Sequence, residues 1–358
     1  MAKIKPRRIL VPAFICPIIP EVIRRNGFEV KFADADLESF NIKIRDADLD
    51  GVGAVFVCHT FGAKCEIPSC KVPVIEDCAH FLSKKRAGDF ALCSMYKQVA
   101  NARGGYVECD EDLSGAYEHL MTDRIGITDF PEILLRTKGP HQPVFDFLRS
   151  LNELPVCDSV KNEKWNVLKA SNLTKKMFAR GSADASHALN IEIYNEMKYG
   201  FEHLGLGKFF KMQQMPEGSV PFNFSIRVID SSISRDDLLL RLRRSKVFAD
   251  RMWYNADTSG IPNAEILART IINLPMSLKS LAILKHVISG KNHISYGRVG
   301  RIFEAYSPRP RGDCRISGWF VADFQRKFHP VGRLLRTFRG CRDTRWRGSF
   351  FVKKIAEV

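Results

Sequence analysis

The chain has 358 residues, 45% of them hydrophobic and 27% charged, which is enough for a sizeable core and two domains. No run approaches the roughly 18 apolar residues that a membrane span needs. The formal net charge is +15, but residues 291–358 hold 16 Lys/Arg against 5 Asp/Glu, so +11 of it lies in that tail and the first 290 residues are only mildly basic.

The opening MAKIKPRRILVPAFICPIIP has a basic head and an apolar body, as a signal peptide does. Pro12, Pro17 and Pro20 interrupt that body, so it reads better as a strand and a loop. Ile18 to Arg25 reads as a helix stopped by Asn26-Gly27. Residues 28–33 alternate like a strand and end at Asp34 and Asp36, which suit a solvated strand end or a helix cap. Residues 53–58 form a continuous apolar run, the mark of a buried strand, and His59-Thr60-Phe61-Gly62 follows at its end. Strand, helix and strand alternating to about residue 110 predict a mostly parallel sheet with flanking helices, an α/β fold. Ligands bind beyond the carboxyl ends of strands in such sheets.

Residues 72–107 read VPVIEDCAHFLSKKRAGDFALCSMYKQVANARGGYV. An apolar strand ends in Glu76-Asp77, and twenty residues after Asp77 comes Lys97, with Ser94 three residues before it. Gly104-Gly105 opens a second strand-like run through Cys109. His59, Asp77 and Lys97 all fall at or just past strand ends. An aspartate so placed can keep a pyridine nitrogen protonated, and a lysine near the end of a neighbouring strand can hold a carbonyl cofactor covalently.

Farther on, residues 111–210 are mostly helical in pattern, with a break near Gly181-Ser182. Residues 220–228 read as a strand, and Ser234 caps a helix that starts Arg235-Asp236-Asp237-Leu238. Met252-Trp253-Tyr254 suits core packing or a cleft wall. Ile271-Ile272-Asn273-Leu274-Pro275 precedes a final helix through Ile288. The expected organisation is a sheet core over 1–115, a helical connection over 116–214, a small α/β domain over 215–290 and the basic tail 291–358.

Four ordered segments, Glu76-Asp77-Cys78-Ala79-His80, Gly88-Asp89-Phe90, Ser94-Met95-Tyr96-Lys97 and Gly104-Gly105, resemble those of the DegT/DnrJ/StrS sugar aminotransferases, a branch of the fold-type-I pyridoxal-phosphate enzymes. The resemblance covers roughly residues 8–110 and 215–290. It implies pyridoxal 5'-phosphate as cofactor and transamination as the reaction, with glutamate as donor and a nucleotide-linked keto-sugar as acceptor. It also implies a homodimer. Lys97 would be the catalytic lysine. Asp77 would face the ring nitrogen, Ala79 a ring face and His80 the phenolic oxygen. Ser94 would bind phosphate, and His59 would lie on a loop in the cofactor cleft. Some relatives are sugar dehydratases with histidine in place of the lysine, and Lys97 argues against that branch.

Two parts of the family pattern are missing. The chain starts at the strand after the Gly-Thr/Ser-x-Ala turn whose backbone amides hold phosphate at a helix N-terminus, and no Asn-x-Arg follows Gly104-Gly105. A truncated, catalytically degenerate relative acting as a scaffold or partner subunit is the alternative.

The ten cysteines form no Cys-x-x-Cys pair and do not cluster with histidine, which disfavours a zinc site. Cys58, Cys93 and Cys109 sit in apolar runs and read as buried reduced thiols, in keeping with a reducing cytoplasm. In the tail, arginines interleaved with Phe and Trp suit a nucleic acid or an anionic membrane surface. A solvated extension accounts for the same composition.

Overall fold

A computed structural model describes residues 7–81, 86–98, 104–122, 169–172, 175–176 and 183–289. The expectations for residues 291–358, and for the break at Gly181-Ser182, lie outside them.

Six strands form the main sheet: β1 (Arg8–Pro12), β2 (Glu29–Ala33), β3 (Ala54–Cys58), β4 (Val74–Asp77), β5 (Phe90–Ser94) and β6 (Gly105–Cys109). Their order is β2-β1-β3-β4-β5-β6. The first five run parallel and β6 runs antiparallel at the edge. β3 is buried at every position, as a central parallel strand covered on both faces must be. The α1 helix (Ile18–Arg25) crosses from β1 to β2 and ends at Asn26 before Gly27, whose φ is +76°.

The flanking helices differ from the expected alternation. The β3–β4 connection contains a single 3-10 turn, Thr60–Gly62, and the helix after β5, α2 (Met95–Gln98), is four residues long. Part of the cover comes from far along the chain. Ala264, Leu267 and Ala268 of the later helix Pro262–Thr270 join Ile23 of α1 and Val11, Phe56 and Ile75 of the sheet in one core.

A short helix, α3 (Ser114–Glu118), and the long α4 (Ala183–His203) lead to a second, antiparallel sheet. Its strands are β7 (Phe210–Met212), β8 (Phe224–Val228) and β9 (Ile271–Leu274). Around it pack α4, α5 (Arg235–Arg244) and α7 (Leu278–Ile288), through Met197, Phe201, Leu239, Leu242, Leu281 and Leu284. Ser234 caps α5 as its sequence predicts, accepting from Asp237 N at 3.3 Å. The helix Pro262–Thr270, here α6, is capped by Asp34, whose Oδ1 accepts from Ala264 N at 2.9 Å. That cap brings together residues 230 apart in the chain.

The two sheets are stitched beside the main sheet's carboxyl edge. Val220 N donates to Gly62 O and Phe222 N to Phe61 O, both at 3.0 Å. Gln213 Nε2 donates to Ser39 O at 2.7 Å and to Thr60 O at 2.8 Å. No described helix is long and apolar enough to cross a membrane.

Candidate functional site

Neighbouring strands β1, β3, β4 and β5 deliver residues to one edge of the sheet. Phe14 follows β1, His59 and Phe61 follow β3, and Asp77 ends β4 with His80 just beyond. Ser94 ends β5, and Lys97 lies in α2 directly after it. The parallel order is what aligns these ends.

Asp77 is buried on the face that carries Cys58 and Ile75. Its Oδ1 accepts from Ala79 N at 2.9 Å, and its Oδ2 accepts from the Cys58 thiol at 3.7 Å. Burial pushes its carboxyl above the ordinary value; the Ala79 amide, the Lys97 charge and the Cys58 thiol oppose that shift. The Lys97 charge therefore reaches Asp77 electrostatically.

Lys97 Nζ lies 3.0 Å from Nε2 of His80. His80 is 3% exposed, and burial, with the Lys97 charge second, holds its pKa well below the ordinary imidazole value. The ring is therefore neutral. An ammonium has donors only, so Nε2 accepts and the proton resides on Nδ1. That Nδ1 is buried with no hydrogen-bond partner among the described residues. Aromatic rings fix the imidazole plane: Phe222 stacks at 4.5 Å and 20°, and Trp253 at 5.5 Å and 19°. Phe61 lies at 5.7 Å and itself packs on Trp253 at 4.6 Å. Phe61 and Trp253 have φ of +52° and +63°. Side chains in that region cost about 1–3 kcal/mol and persist where packing over-determines them, often at functional sites.

His59 has a different neighbourhood. Its Nδ1 accepts from Cys65 N at 2.9 Å, so the proton sits on Nε2, which donates to Glu76 Oε2 at 3.1 Å. Glu76 Oε1 accepts from Ala87 N at 2.7 Å and from Gly88 N. Burial would raise the Glu76 carboxyl, but the bonds from His59, Gly88 and Ala87 outweigh it and hold the group below its ordinary value. Ligand atoms of His59, Glu76 and Cys78 all lie within 4.8 Å of one another. A metal on His59 Nε2 needs a proton on Nδ1 to satisfy the other side of the ring, and Nδ1 already faces an N–H. The cluster is a hydrogen-bonded brace for the β3–β4 loops.

Among the anticipated residues, Asp77, Ala79, His80 and Lys97 converge. Ser94 lies half-buried at the end of β5, opposite Gly105. His59 has both ring nitrogens engaged by protein groups, and its ring lies 4.5 Å from Phe81. Sequence reasoning passed over Phe61, Phe222 and the Cys58–Asp77 bond. The trace of the aromatic cluster in the sequence was Met252-Trp253-Tyr254, read as core packing or a cleft wall.

No protein-family model and no curated protein matches the sequence. Solved structures do match the fold. A GDP-4-keto-6-deoxy-D-mannose-3-dehydratase from E. coli with bound hydrated PLP is 18% identical, with a TM-score of 0.57 over 79% of this chain and 81% of that one. A DegT DnrJ EryC1 StrS aminotransferase from Brucella abortus is 14% identical, with a TM-score of 0.51 over 78% and 79%. A sugar aminotransferase from Micromonospora echinospora is 14% identical, with a TM-score of 0.51 over 79% and 80%. The described chain has the fold of these enzymes, a mostly parallel six-stranded sheet joined to a smaller second sheet.

Proposed function

We propose that this chain binds pyridoxal phosphate and catalyses transamination, with a nucleotide-linked keto-sugar as acceptor and glutamate as donor. The carrying observation is the meeting of a buried acid, an amine and a neutral imidazole at the ends of β4 and β5. The residues fit the cofactor at two points. The Asp77 carboxylate, disfavoured by burial, gains a cation from a protonated ring nitrogen. The Nδ1–H of His80, which has no partner among the described residues, gains an acceptor from a phenolic oxygen.

When bound, pyridoxal phosphate supplies an electron sink for the carbon that loses its proton. Lys97 Nζ holds the cofactor and moves that proton. Asp77 keeps the ring nitrogen charged. His80, clamped between Phe222 and Trp253, orients through Nδ1 and holds Lys97 through Nε2. Ala79 covers a ring face, Ser94 contributes to phosphate binding, and His59 braces the loop on which the cleft rests. The sugar acceptor rests on the neighbours, which include sugar enzymes. Among the described residues, Cys58, Cys65, Cys70, Cys78, Cys93 and Cys109 form no disulfide, which suits a reducing cytoplasm.

The test is spectroscopic. Purified protein given pyridoxal phosphate develops a visible absorbance band, and borohydride then fixes the cofactor mass on the peptide holding Lys97. Lys97→Ala loses both signals. A wild-type protein that stays colourless and unlabelled in excess cofactor overturns the reading and leaves the scaffold alternative.

A further inference from the structure

The opposite face of the same strand ends carries a pair of thiols that the proposed chemistry does not use. Asp77 pairs with Leu92 in the parallel β4–β5 register, and Cys78 N donates to Leu92 O at 2.8 Å. One step on, Cys78 and Cys93 stand side by side. Neighbouring strands lie about 4.8 Å apart, within the roughly 4.4–6.8 Å Cα separation that a disulfide spans. Both side chains point to one face, since Cys78, Ala91 and Cys93 form a separate small buried cluster. The two thiols interact with each other, and Cys93 also with the Tyr106 hydroxyl. Tyr106 stands directly opposite Cys93 in edge strand β6 and packs, partly buried, on the cluster.

We propose that Cys78 and Cys93 are a redox modification site that closes to a disulfide under peroxide, stapling β4 to β5 directly behind Asp77 and Ser94.

The electrostatics of the pair favour one direction of attack. Interaction with Cys78 and with the Tyr106 hydroxyl brings the Cys93 pKa below its ordinary value against burial, while the same interaction and burial push Cys78 up. Cys93 is thus the better thiolate and the first nucleophile. Its sulfur attacks one oxygen of hydrogen peroxide. The O–O bond breaks, Cys93 becomes a sulfenic acid, and the departing hydroxide leaves as water with the Cys93 proton. The Cys78 sulfur then attacks the Cys93 sulfur, the S–O bond breaks, and a second water leaves with the Cys78 proton. Two electrons pass from the two sulfurs to peroxide.

The crosslink stands apart from the function proposed above; only its effect on the cofactor rests on that reading. The full chain is treated with hydrogen peroxide, quenched, alkylated and digested without reductant. The expected product is a linked peptide pair, Cys78 to Cys93, lighter by two hydrogens and released by dithiothreitol. Cys78→Ser and Cys93→Ser each lose it. Because the wild-type protein gives the main result, a misfolded variant leaves the test intact. Two thiols that both remain alkylatable, or a Cys93 that stops at sulfenic acid, overturn the proposal. In a second arm, reduced and crosslinked protein are compared for pyridoxal phosphate retention. A several-fold loss on crosslinking supports coupling to Asp77 and Ser94, and equal retention overturns that coupling. Protein that binds no cofactor even when reduced refutes the proposed function and leaves the crosslink result in force.

Discussion

The amine of Lys97 meets Nε2 of His80 at 3.0 Å, three residues past the buried Asp77 that feels the same amine's charge. Strand order makes this contact. β4 and β5 are adjacent and parallel, so residues beyond their carboxyl ends share one space although 17 positions separate them.

His80 gives the acid limb of stability a signature. Burial and the Lys97 charge hold its folded pKa well below 6.5. The unfolded chain therefore takes up a proton that the fold refuses. Stability falls as pH drops below about 6.5, by up to ~1.4 kcal/mol per pH unit until the folded value is reached. His80→Gln removes that titration and keeps a polar side chain. Urea midpoints measured across this range are expected to fall more steeply for wild type than for His80→Gln. Parallel slopes would show that the imidazole is solvated.

Asp77 works against the cofactor-free fold. Burial raises its carboxyl, and the opposing Ala79, Lys97 and Cys58 interactions do not fully compensate. For an acid raised in the fold, the penalty is present above the folded value and fades as pH falls toward 3.8. Asp77→Asn keeps an oxygen for the Ala79 amide and removes the charge. The variant is expected to be more stable than wild type near neutrality without cofactor, the gap closing in acid, and to retain pyridoxal phosphate more weakly. A less stable Asp77→Asn at neutral pH would mean that the carboxylate is well paired.

Most strands were legible because each is an apolar run bounded by turn-forming or charged residues: residues 53–58 open at Gly53, and 72–75 run into Glu76-Asp77. α1 and the Ser234 cap were legible from local signals for the same reason. Phe90–Ser94 was legible only as the strand end expected just before Lys97, because it is half-buried in alternation. Phe210–Met212 was not legible: it is three residues long and is a strand because a neighbour supplies the ladder. The covering helix α6 was anticipated neither as cover for the main sheet nor as the target of the Asp34 cap, since both depend on contacts over 200 positions apart. Trp253 was legible as apolar, but its stacking on His80 depends on how the second sheet docks.

The His59–Glu76 brace predicts a cost for an isosteric change. In Glu76→Gln the single carbonyl oxygen must still serve Ala87 N and Gly88 N, which places the amide nitrogen toward His59 Nε2. His59 cannot flip its proton to accept, because Nδ1 then meets Cys65 N–H as a second donor. One buried donor is left facing another, at about 2–4 kcal/mol. The Glu76 pKa is depressed in the fold, so its contribution is present above 4.5 and lost as pH falls through the folded value. The difference in urea midpoint between wild type and Glu76→Gln is expected to be large at neutral pH and to shrink below about pH 4.5. A variant matching wild type at neutral pH would show that the brace is solvated.

Gly62 tests whether the junction of the two sheets builds the site. Its φ is +92°, and a Cβ there would meet Val220 O at 2.0 Å and Phe222 N at 2.8 Å. These are backbone atoms, so no rotamer relieves the clash. Gly62 O also accepts from Val220 N, and the adjacent Phe61 O accepts from Phe222 N, so the segment cannot retreat without breaking both bonds. Phe222 is the ring that stacks on His80 at 4.5 Å. Gly62→Ala is therefore expected to cost about 3 kcal/mol or more and to displace Phe222 from His80. Phe222→Ala separates the two effects, since it removes the ring and leaves the backbone junction intact. Stability by urea melt and cofactor retention by absorbance give the readout. Gly62→Ala should lose both, and Phe222→Ala should lose retention with the smaller drop in stability. If Phe222→Ala holds pyridoxal phosphate as wild type does, the second sheet contributes to the fold and not to the site.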